Sequence, residues 1–381
     1  MGATLDYAKL ADGTEFDYKI YGELTHSYFS NILSEHLKKT KSDILFILLD
    51  TFMLHGDPNN PNNGWFLKID TSPAKTIFWY PSDGGNGMPN GCEIILKKVN
   101  CPVAMAKFGQ KQVKDYYGFD TMYIPHGTEP DKFFKMNNID RANLRNRWGL
   151  NDKFVVGVVA RNQPRKFLDR TIKIMAKLKD KIPNAVLFLH LDPNDPAQSF
   201  NMIQMIQKYN LENRVIFSGM KAHEGFDWNK MNEIYNLFDV FLLTTSGEGF
   251  GIPIIESMAC EVPILATDYT TTSELVKENQ AGLGIKLTGV EEISWQDFFG
   301  MNAKYYDRLV ENGTINGSWG VERGICDIND AVEKMLFLYN NPHIREQMGK
   351  SGREAVLKKY DFDKIIGPAF DKIFNDICNT G

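Results

Sequence analysis

The chain has 381 residues, carries a formal net charge of −5, and is 43% hydrophobic and 24% charged. A single hydrophobic core usually stops growing at about 250–300 residues, so this length predicts two domains. The composition is that of an ordinary globular protein. Because there is no basic excess to neutralise phosphates, the charge argues against a general nucleic-acid binder.

Cysteine usage and hydropathy indicate the compartment. The five cysteines are odd in number and lack metal-ligand spacing, which favours a reducing environment. The first twenty residues contain no apolar core of a signal peptide, and no apolar run is long enough to span a bilayer. We therefore expect a cytoplasmic enzyme without a transmembrane segment, and we leave peripheral membrane association and oligomerisation open.

Apolar runs of strand length alternate with amphipathic stretches in the first third of the chain. This βα alternation is typical of a parallel sheet covered by helices. In chain order, the pattern predicts a helix at 28–39, strands at 44–49, 76–80 and 103–106, a helix at 110–117 and a strand at 121–124.

The same alternation continues more clearly after residue 153. Its strands are uninterrupted apolar runs, which indicates burial on both faces of a parallel sheet. Strands are predicted at 154–160, 185–190, 214–218, 240–244, 263–266 and 284–286, and helices at 168–178, 199–208, 230–236, 254–259, 272–277 and 344–359.

The polar stretch between residues 134 and 153 is the candidate domain boundary. We predict an N-terminal domain at 1–145 and a C-terminal domain at 146–360, with a last helix at 361–378 that packs back on the first domain. Two doubly wound domains would face each other across a cleft at the carboxyl ends of their strands. The polar segment 288–324 is expected to be a long loop.

A glycine-rich turn follows the predicted strand 240–244. Gly249 and Gly251 lie in this turn, and Pro253 stands where the next helix should begin. Proline is favoured in the first turn of a helix because its missing N–H would be unpaired there. The strand, turn and helix start leave backbone N–H groups free to bind an anion, most often phosphate, and the glycines allow it to approach closely.

Two glutamates accompany this turn. Glu248 lies within it and Glu256 lies in the helix that follows. A carboxylate can accept hydrogen bonds from two hydroxyl groups at once. Glu256 therefore suits a ribose diol, and Glu248 suits hydroxyls of a transferred sugar. The alternative is that Glu248 only complements the helix dipole and that Glu256 is a solvated surface residue.

Three cations follow another strand, the one predicted at 154–160. They are Arg161, Arg165 and Lys166. Arginine offers phosphate oxygens a rigid fork, and lysine offers a mobile point charge. A diphosphate leaving group needs such compensation where no metal is bound. The alternative, an ordinary basic start of a helix, is disfavoured because cations oppose the dipole at a helix N-terminus.

These motifs together resemble the retaining GT-B glycosyltransferases of family four. The residues that carry the resemblance are Glu248-x7-Glu256, Arg161-x4-Lys166 and the segment Ile124-Pro125-His126-Gly127-Thr128. The resemblance runs from about residue 41 to the C-terminus and is most specific over 239–275. It implies the GT-B fold, in which two doubly wound Rossmann-like domains face each other across a cleft.

The resemblance also implies a donor site. In such a site, Arg161 and Lys166 hold the diphosphate of a nucleotide sugar, Glu256 holds its ribose and Glu248 contacts the transferred sugar. Backbone amides at the helix start assist at the phosphate and the sugar. The implied site further includes residues of the turn, the neighbouring cation and a histidine of the first domain, namely Gly249, Phe250, Gly251, Ile252, Arg165 and His126.

The chemistry implied by the resemblance is retaining transfer of a hexose from a UDP- or GDP-sugar to a hydroxyl acceptor. The acceptor would be a carbohydrate or a lipid-linked or protein-linked group. Family chemistry needs no metal, no cofactor and no protein nucleophile, because the leaving phosphate acts as the base at the front face. The alternative is a nucleotide-sugar-binding subunit that has lost catalysis and serves a partner transferase.

The first domain supplies further candidates. Many relatives place a histidine near Ser82-Asp83, so Asp83 is a candidate catalytic contact to sugar or acceptor, with a turn-forming role as the alternative. His126 ends a predicted strand and would face the cleft, although a histidine in such a turn can be structural. Asp50 is another cleft candidate, whereas His190 is expected to be a satisfied core histidine.

The beginning of the chain departs from the family pattern. Family members normally open with a strand and a glycine-rich loop near the donor phosphates, and neither precedes the helix predicted at 28–39. We therefore predict a shortened first domain, through truncation or natural reduction. This departure leaves acceptor binding open and does not affect the donor site.

Overall fold

The computed structural model describes most of the chain as two parallel β-sheets covered by helices. This arrangement confirms the predicted α/β class. The described residues are 4–5, 20–21, 33–54, 65–85, 92–195, 198–221, 224–294 and 320–379.

The first sheet consists of four parallel strands that neighbour each other in chain order. A two-stranded antiparallel ribbon lies before it in the sequence. The part of the predicted first helix at 28–32 falls outside the described residues. The elements are β1 Thr4–Leu5, β2 Ile20–Tyr21, α1 Leu33–Thr40, β3 Ile44–Ile47, a 3₁₀ turn Thr51–Leu54, α2 Trp65–Lys68, β4 Lys75–Tyr80, α3 Cys92–Lys98, β5 Cys101–Ala104, α4 Lys107–Tyr117 and β6 Met122–Tyr123.

The second sheet has six parallel strands, and its central ones are buried along their whole length, as their apolar sequences predict. The elements are α5 Asn138–Arg147, β7 Phe154–Val159, a 3₁₀ turn Pro164–Lys166, α6 Leu168–Leu178, β8 Ala185–His190, α7 Met202–Lys208, a 3₁₀ turn Glu212–Arg214, β9 Val215–Phe217, α8 Trp228–Leu237, β10 Val240–Leu243, α9 Ile252–Ala259, β11 Ile264–Thr267, α10 Thr271–Val276 and β12 Gly282–Ile285.

The strand order of the second sheet places a crevice at its carboxyl edge. The order is β12–β11–β10–β7–β8–β9, so the direction of winding reverses between β10 and β7. Strand β7 pairs with β8 on one side and with β10 on the other. The loops that leave β7 and β10 therefore part in opposite directions, and ligands of doubly wound sheets bind at such a point.

An antiparallel hairpin follows the second sheet. It consists of β13 Leu287–Ser294 and β14 Gly320–Cys326. The prediction of one long loop over 288–324 is therefore wrong at both ends, because residues 288–294 pair with residues 320–324 as strands. Residues 295–319 lie outside the described part of the chain. The N–H of Gly85 donates to the Glu322 carbonyl at 3.0 Å, and the N–H of Gly324 donates to the Ser246 carbonyl at 3.0 Å. The hairpin thus contacts loops of both sheets.

Other contacts also join the two halves of the chain. Glu274 of α10 accepts hydrogen bonds from the N–H groups of Lys107 and Phe108 at 3.2 and 3.3 Å, and so caps α4 from the second half. In the last helix, the Phe370 ring packs edge-on against Trp79 of β4, with centroids 4.8 Å apart. The C-terminal elements are α11 Ile328–Asn340, α12 Pro342–Ala355, π-helical turns Val356–Tyr360 and Phe362–Ile366, and α13 Gly367–Asn379.

A basic cavity of about 590 Å³ lies at the amino edge of the second sheet. Arg141, Arg145 and Arg345 line it in part, and their guanidinium groups donate to main-chain carbonyls. Arg141 and Arg145 also pair with Asp239, at 2.9 and 3.1 Å. These arginines cap the carboxyl end of α8 and the start of β10, so their arrangement supports the fold.

Replacing Arg145 by alanine is expected to lower the free energy of unfolding by about 2–4 kcal/mol, because buried carbonyls lose a charged donor. The Arg145 side chain is 8% exposed and bonds the carbonyls of Leu237 and Leu150. Urea titration followed by circular dichroism measures the change. The control is Arg147→Ala, since that side chain is 65% exposed and pairs with Glu233 at the surface. Equal shifts in the two variants would contradict the prediction.

Candidate functional site

The loops that follow β7 and β10 meet through a buried ion pair. Glu248 is 3% exposed, and its Oε1 accepts a hydrogen bond from Lys166 Nζ at 2.5 Å. Its Oε2 accepts one from Arg165 Nη1 at 2.7 Å. Burial alone would raise the pKa of Glu248, but Arg165 and Lys166 outweigh it and lower the pKa to about 2. Glu248 is therefore ionised at neutral pH and lies between two cations.

Lys166, which forms this ion pair with Glu248, is itself buried. Burial lowers its pKa to about 8, although the negative charge of Glu248 opposes that shift. An added anion beside this lysine would favour its charged form further. Its ammonium group therefore retains its proton at neutral pH and can compensate negative charge at the crevice.

The backbone of the turn is held in place by side chains of the next loop. The N–H of Glu248 donates to Thr270 Oγ1 at 3.0 Å, and Thr271 Oγ1 donates to the Glu248 carbonyl at 2.9 Å. The N–H of Ser246 donates to the Arg165 carbonyl at 2.7 Å. These bonds fix Glu248 relative to the loop that carries the cations.

Glycines in the turn make room for the first-domain loop that follows β4. A Cβ atom on Gly247 would lie 1.9 Å from the Asp83 carbonyl oxygen, and one on Gly249 would lie 2.6 Å from Pro81 Cβ. From the sequence, the small size of Gly249 is predicted to let a ligand approach the turn closely. In the structure, Pro81 fills that space, so this glycine allows the two loops to pack closely.

The start of α9 lies beside the ion pair. Gly251 precedes the helix with φ of 105°, a left-handed conformation that favours glycine, and no side chain among the described residues caps this end. Ile252 is 41% exposed at the first helical position, and Pro253 follows it as predicted. Phe250 is buried and its ring lies 5.4 Å from that of His126. The exposed helix start can accept an anion.

Glu256 lies on the same helix and has one partner that sequence reasoning missed. Tyr235 Oη donates to Glu256 Oε2 at 2.5 Å, and this tyrosine is completely buried. Burial raises the pKa of Glu256 to about 7, and the hydrogen bond from Tyr235 partly opposes the increase. No spacing rule relates residues on two separate helices, so this pair could not be predicted from the sequence.

Arg161 is not part of this cluster. Its Nε donates to Asp195 Oδ2 at 3.0 Å, and its side chain is 58% exposed. The segment after β7 turns back toward β10 only at Pro164–Lys166, which brings Arg165 and Lys166 to Glu248 and leaves Arg161 directed toward the loop after β8. Asp195, in the loop after β8, is the partner of this arginine.

The first sheet contributes Asp83. Its Oδ2 lies 3.6 Å from Arg165 Nε, and its Oδ1 accepts a hydrogen bond from Arg323 Nη2 at 3.2 Å. Arg323 belongs to β14 and was not predicted, because its segment was interpreted as a loop. Asp50 is exposed in the same region, where the charges of Asp83, Arg165 and Arg323 act on it.

Two histidines are held uncharged by burial. Burial lowers the pKa of His126 to about 4, and its ring packs at a tilt against Trp79 with centroids 4.0 Å apart. Burial also lowers the pKa of His190 to about 4. Within the described residues, His190 Nδ1 has no hydrogen-bond partner, so the expectation of a fully satisfied core histidine is wrong for that nitrogen.

The described residues contain neither a metal cluster nor a membrane-spanning helix. No three histidine, cysteine, aspartate or glutamate side chains of the described residues group so as to hold a metal ion. None of the helices described above is long and apolar enough to cross a bilayer. The expectation that no metal takes part stays a prediction.

Two parallel α/β sheets, joined by a cation–carboxylate cluster at their carboxyl edges, define the GT-B class. Residues 140–297 match the family model described as glycosyl transferases group 1. The chain is 29% identical over 182 residues to mannosylfructose-phosphate synthase of Agrobacterium fabrum, covering 46% of this chain and 39% of that protein.

A second curated relative is also a named glycosyltransferase. A GDP-mannose-dependent alpha-(1-6)-phosphatidylinositol monomannoside mannosyltransferase of Mycolicibacterium smegmatis is 27% identical, over 45% of this chain and 44% of that protein. The chain thus spans less than half the length of these two curated relatives.

Solved structures agree on the fold. Sucrose-phosphate synthase from Thermosynechococcus elongatus superposes with a TM-score of 0.70 at 18% identity, covering 99% of this chain and 86% of that one. Anabaena HepE in complex with UDP and glucose superposes with a TM-score of 0.64 at 14% identity, over 90% of this chain and 81% of that one. The predicted GT-B fold is therefore confirmed.

Proposed function

We propose that the chain is a retaining glycosyltransferase that moves a hexose from a UDP- or GDP-sugar to a hydroxyl acceptor without a metal ion. The observation that carries this proposal is the buried contact of Glu248 with Arg165 and Lys166 beside the exposed start of α9. The contact lies where the strand order reverses, which is where doubly wound sheets bind nucleotides.

The diphosphate of the donor is assigned to the cations and the helix start. Arg165, Lys166 and Arg323 carry three positive charges against the two negative charges of Glu248 and Asp83, so one positive charge remains for phosphate oxygens. A leaving diphosphate gains negative charge as the glycosidic bond breaks, and fixed cations in a buried site stabilise that charge. Arg161 would have to leave Asp195 to reach the same phosphates.

The remaining groups of the donor are assigned to the two glutamates. Glu256, held by Tyr235, accepts hydrogen bonds from the ribose hydroxyls, and Glu248 orients the transferred sugar. The amides of Gly251 and Ile252 contact phosphate and sugar at the helix start. In the retaining reaction, the leaving phosphate oxygen takes the acceptor proton on the front face, so no protein nucleophile is needed.

The acceptor side is assigned to the first sheet. Asp83 reaches the cluster through Arg165, and His126 lies behind Phe250 as a neutral ring. We propose that Asp83 contacts the sugar or the acceptor hydroxyl and that His126 supports this surface. The acceptor class proposed is a carbohydrate or a lipid-linked or protein-linked group, reached from the cytoplasm.

Names of relatives support the donor class. One curated relative is named as GDP-mannose-dependent, and a structure of the same fold is described in complex with UDP and glucose. Both descriptions concern a nucleoside diphosphate and a hexose. We therefore propose a UDP- or GDP-hexose as the donor of this chain.

Thermal unfolding in the presence of UDP, GDP, ADP and their sugars tests the proposal. We expect stabilisation by one nucleoside diphosphate in the presence of EDTA, because the cations replace a metal. The shift is expected to disappear in Glu256→Ala and Lys166→Ala. A strict metal requirement, or no response to any nucleotide, would contradict the proposal. Nucleotide binding without turnover on any acceptor would favour a binding subunit that serves a partner transferase.

A further inference from the structure

Arg323 on β14 is a buried cation next to the proposed donor site. Its side chain is 2% exposed. Its Nη1 donates to the main-chain carbonyl of Asp83 at 2.5 Å, and its Nη2 donates to the carboxylate Oδ1 of the same residue at 3.2 Å. The guanidinium fork therefore holds both the backbone and the side chain of Asp83.

Asp83 is shared between two arginines. Its other carboxylate oxygen, Oδ2, lies 3.6 Å from Arg165 Nε, which is longer than the contact with Arg323. Arg165 also bonds Glu248 at 2.7 Å. An aspartate free to turn fully toward Arg165 would compete with phosphate oxygens for that cation. The contact with Arg323 opposes such a turn.

The position of Arg323 is fixed by the hairpin. The neighbouring residues Glu322 and Gly324 bond the main chain of Gly85 and Ser246, at 3.0 Å each. A Cβ atom on Gly247 would lie 3.0 Å from Arg323 Nη1, so the guanidinium rests against the glycine-rich turn. Because it is buried there, Arg323 acts on a ligand through Asp83.

We propose that Arg323 is a positioning residue that holds the Asp83 carboxylate and so keeps Arg165 available to the diphosphate of the donor. This inference rests on the proposed donor site. It assigns the hairpin β13–β14 a part in nucleotide binding that no motif in the sequence indicates.

A double-mutant cycle in nucleotide binding tests this role. The variants are Arg323→Lys, Asp83→Asn and their combination, titrated calorimetrically with UDP and GDP and, in parallel, with uridine and guanosine. We expect Arg323→Lys to weaken diphosphate binding by roughly 3- to 30-fold, because a lysine lacks the rigid fork of two nitrogens that fixes the Asp83 carbonyl and carboxylate, with nucleoside binding unchanged. In the Asp83→Asn background, Arg323→Lys is expected to have little further effect.

Three results would overturn the inference. One is a loss of diphosphate binding in the double variant that equals the sum of the losses in the two single variants. Another is an equal loss of nucleoside and diphosphate binding in Arg323→Lys, which would indicate a purely structural role. The third is unchanged diphosphate binding in Arg323→Lys. If the wild-type chain binds no nucleoside diphosphate, the proposed function fails and this inference fails with it. A wild type that binds, combined with any of those three results, overturns the inference alone.

Folding of the variants is kept separate from their binding. The stoichiometry of each titration reports the fraction of folded protein. If Arg323→Lys does not fold, Arg323→Gln combined with Asp83→Asn removes both charges together and is compared with Asp83→Asn alone, because replacing both partners avoids a single unpaired buried charge. Equal diphosphate affinity in this pair supports the inference, and a further loss overturns it.

Discussion

A Lys166→Met variant is expected to retain its fold and to lose turnover of the nucleotide sugar by roughly 10²–10³-fold, as when one charge-stabilising donor is removed from an active site. The Lys166 side chain is 10% exposed and lies in the 3₁₀ turn after β7, where its Nζ is bonded to Glu248 at 2.5 Å. Its charge is fixed where the leaving diphosphate is proposed to lie. Release of sugar from UDP- or GDP-hexoses measures turnover.

The matched control for this variant is Lys173→Met. Lys173 lies on α6, the helix that follows Lys166 in the chain, and pairs with Asp169 four residues earlier. The Lys173 side chain is 38% exposed. Its removal is expected to leave turnover unchanged, since exposed pairs of this kind contribute little. Thermal unfolding of both variants separates folding from catalysis. If Lys166→Met kept full turnover, the ion pair with Glu248 would be purely structural.

Nucleotide affinity is expected to fall as the pH drops below about 7, the value to which burial raises the pKa of Glu256. The ionised carboxylate accepts hydrogen bonds from both ribose hydroxyls, whereas the protonated form has lost part of that capacity. Below the pKa, the dissociation constant is expected to rise by up to about tenfold per pH unit, because ligand binding then requires loss of a proton. Calorimetric titration between pH 5.5 and 8.5, about 1.5 units either side, measures this dependence.

Glu256→Gln is the control for the pH series. This variant has no ionisable group at position 256, so any pH dependence of its nucleotide affinity comes from the nucleotide and from other groups of the protein. Tyr235→Phe removes the hydroxyl group that lowers the pKa of Glu256, and the midpoint of the affinity curve is expected to move to higher pH. Parallel curves for the wild type and Glu256→Gln would contradict the assignment of Glu256.

The same carboxyl group is expected to act on stability in the opposite direction. Because its pKa in the folded state lies above the ordinary value of 4.5, protonated Glu256 favours the folded chain. This contribution is fully present below the unfolded pKa and is lost as the pH rises through about 7. Without ligand at pH values above the folded pKa, Glu256→Gln is therefore expected to unfold at a higher temperature than the wild type.

Local sequence predicted the parts of the site that lie within one strand–turn–helix unit. Glu248, Pro253 and Glu256 lie where the pattern placed them, because a turn and a helix start are set by short-range backbone preferences. The cations after β7 were also placed at a strand end. Their partners were not predictable, since Arg161 pairs with Asp195 and Arg165 with Glu248 only through the lateral order of the strands.

The sequence by itself determined the α/β class, most strands and helices of the second sheet, and the segments that carry the candidate donor groups. These follow from apolar periodicity and turn residues, which act over a few neighbouring positions. The tertiary structure decided which charges meet. Arg323 reaches Asp83 across 240 residues, and Tyr235 reaches Glu256 across 21 residues from another helix. Contacts at such separations depend on packing of whole elements, which no local pattern encodes.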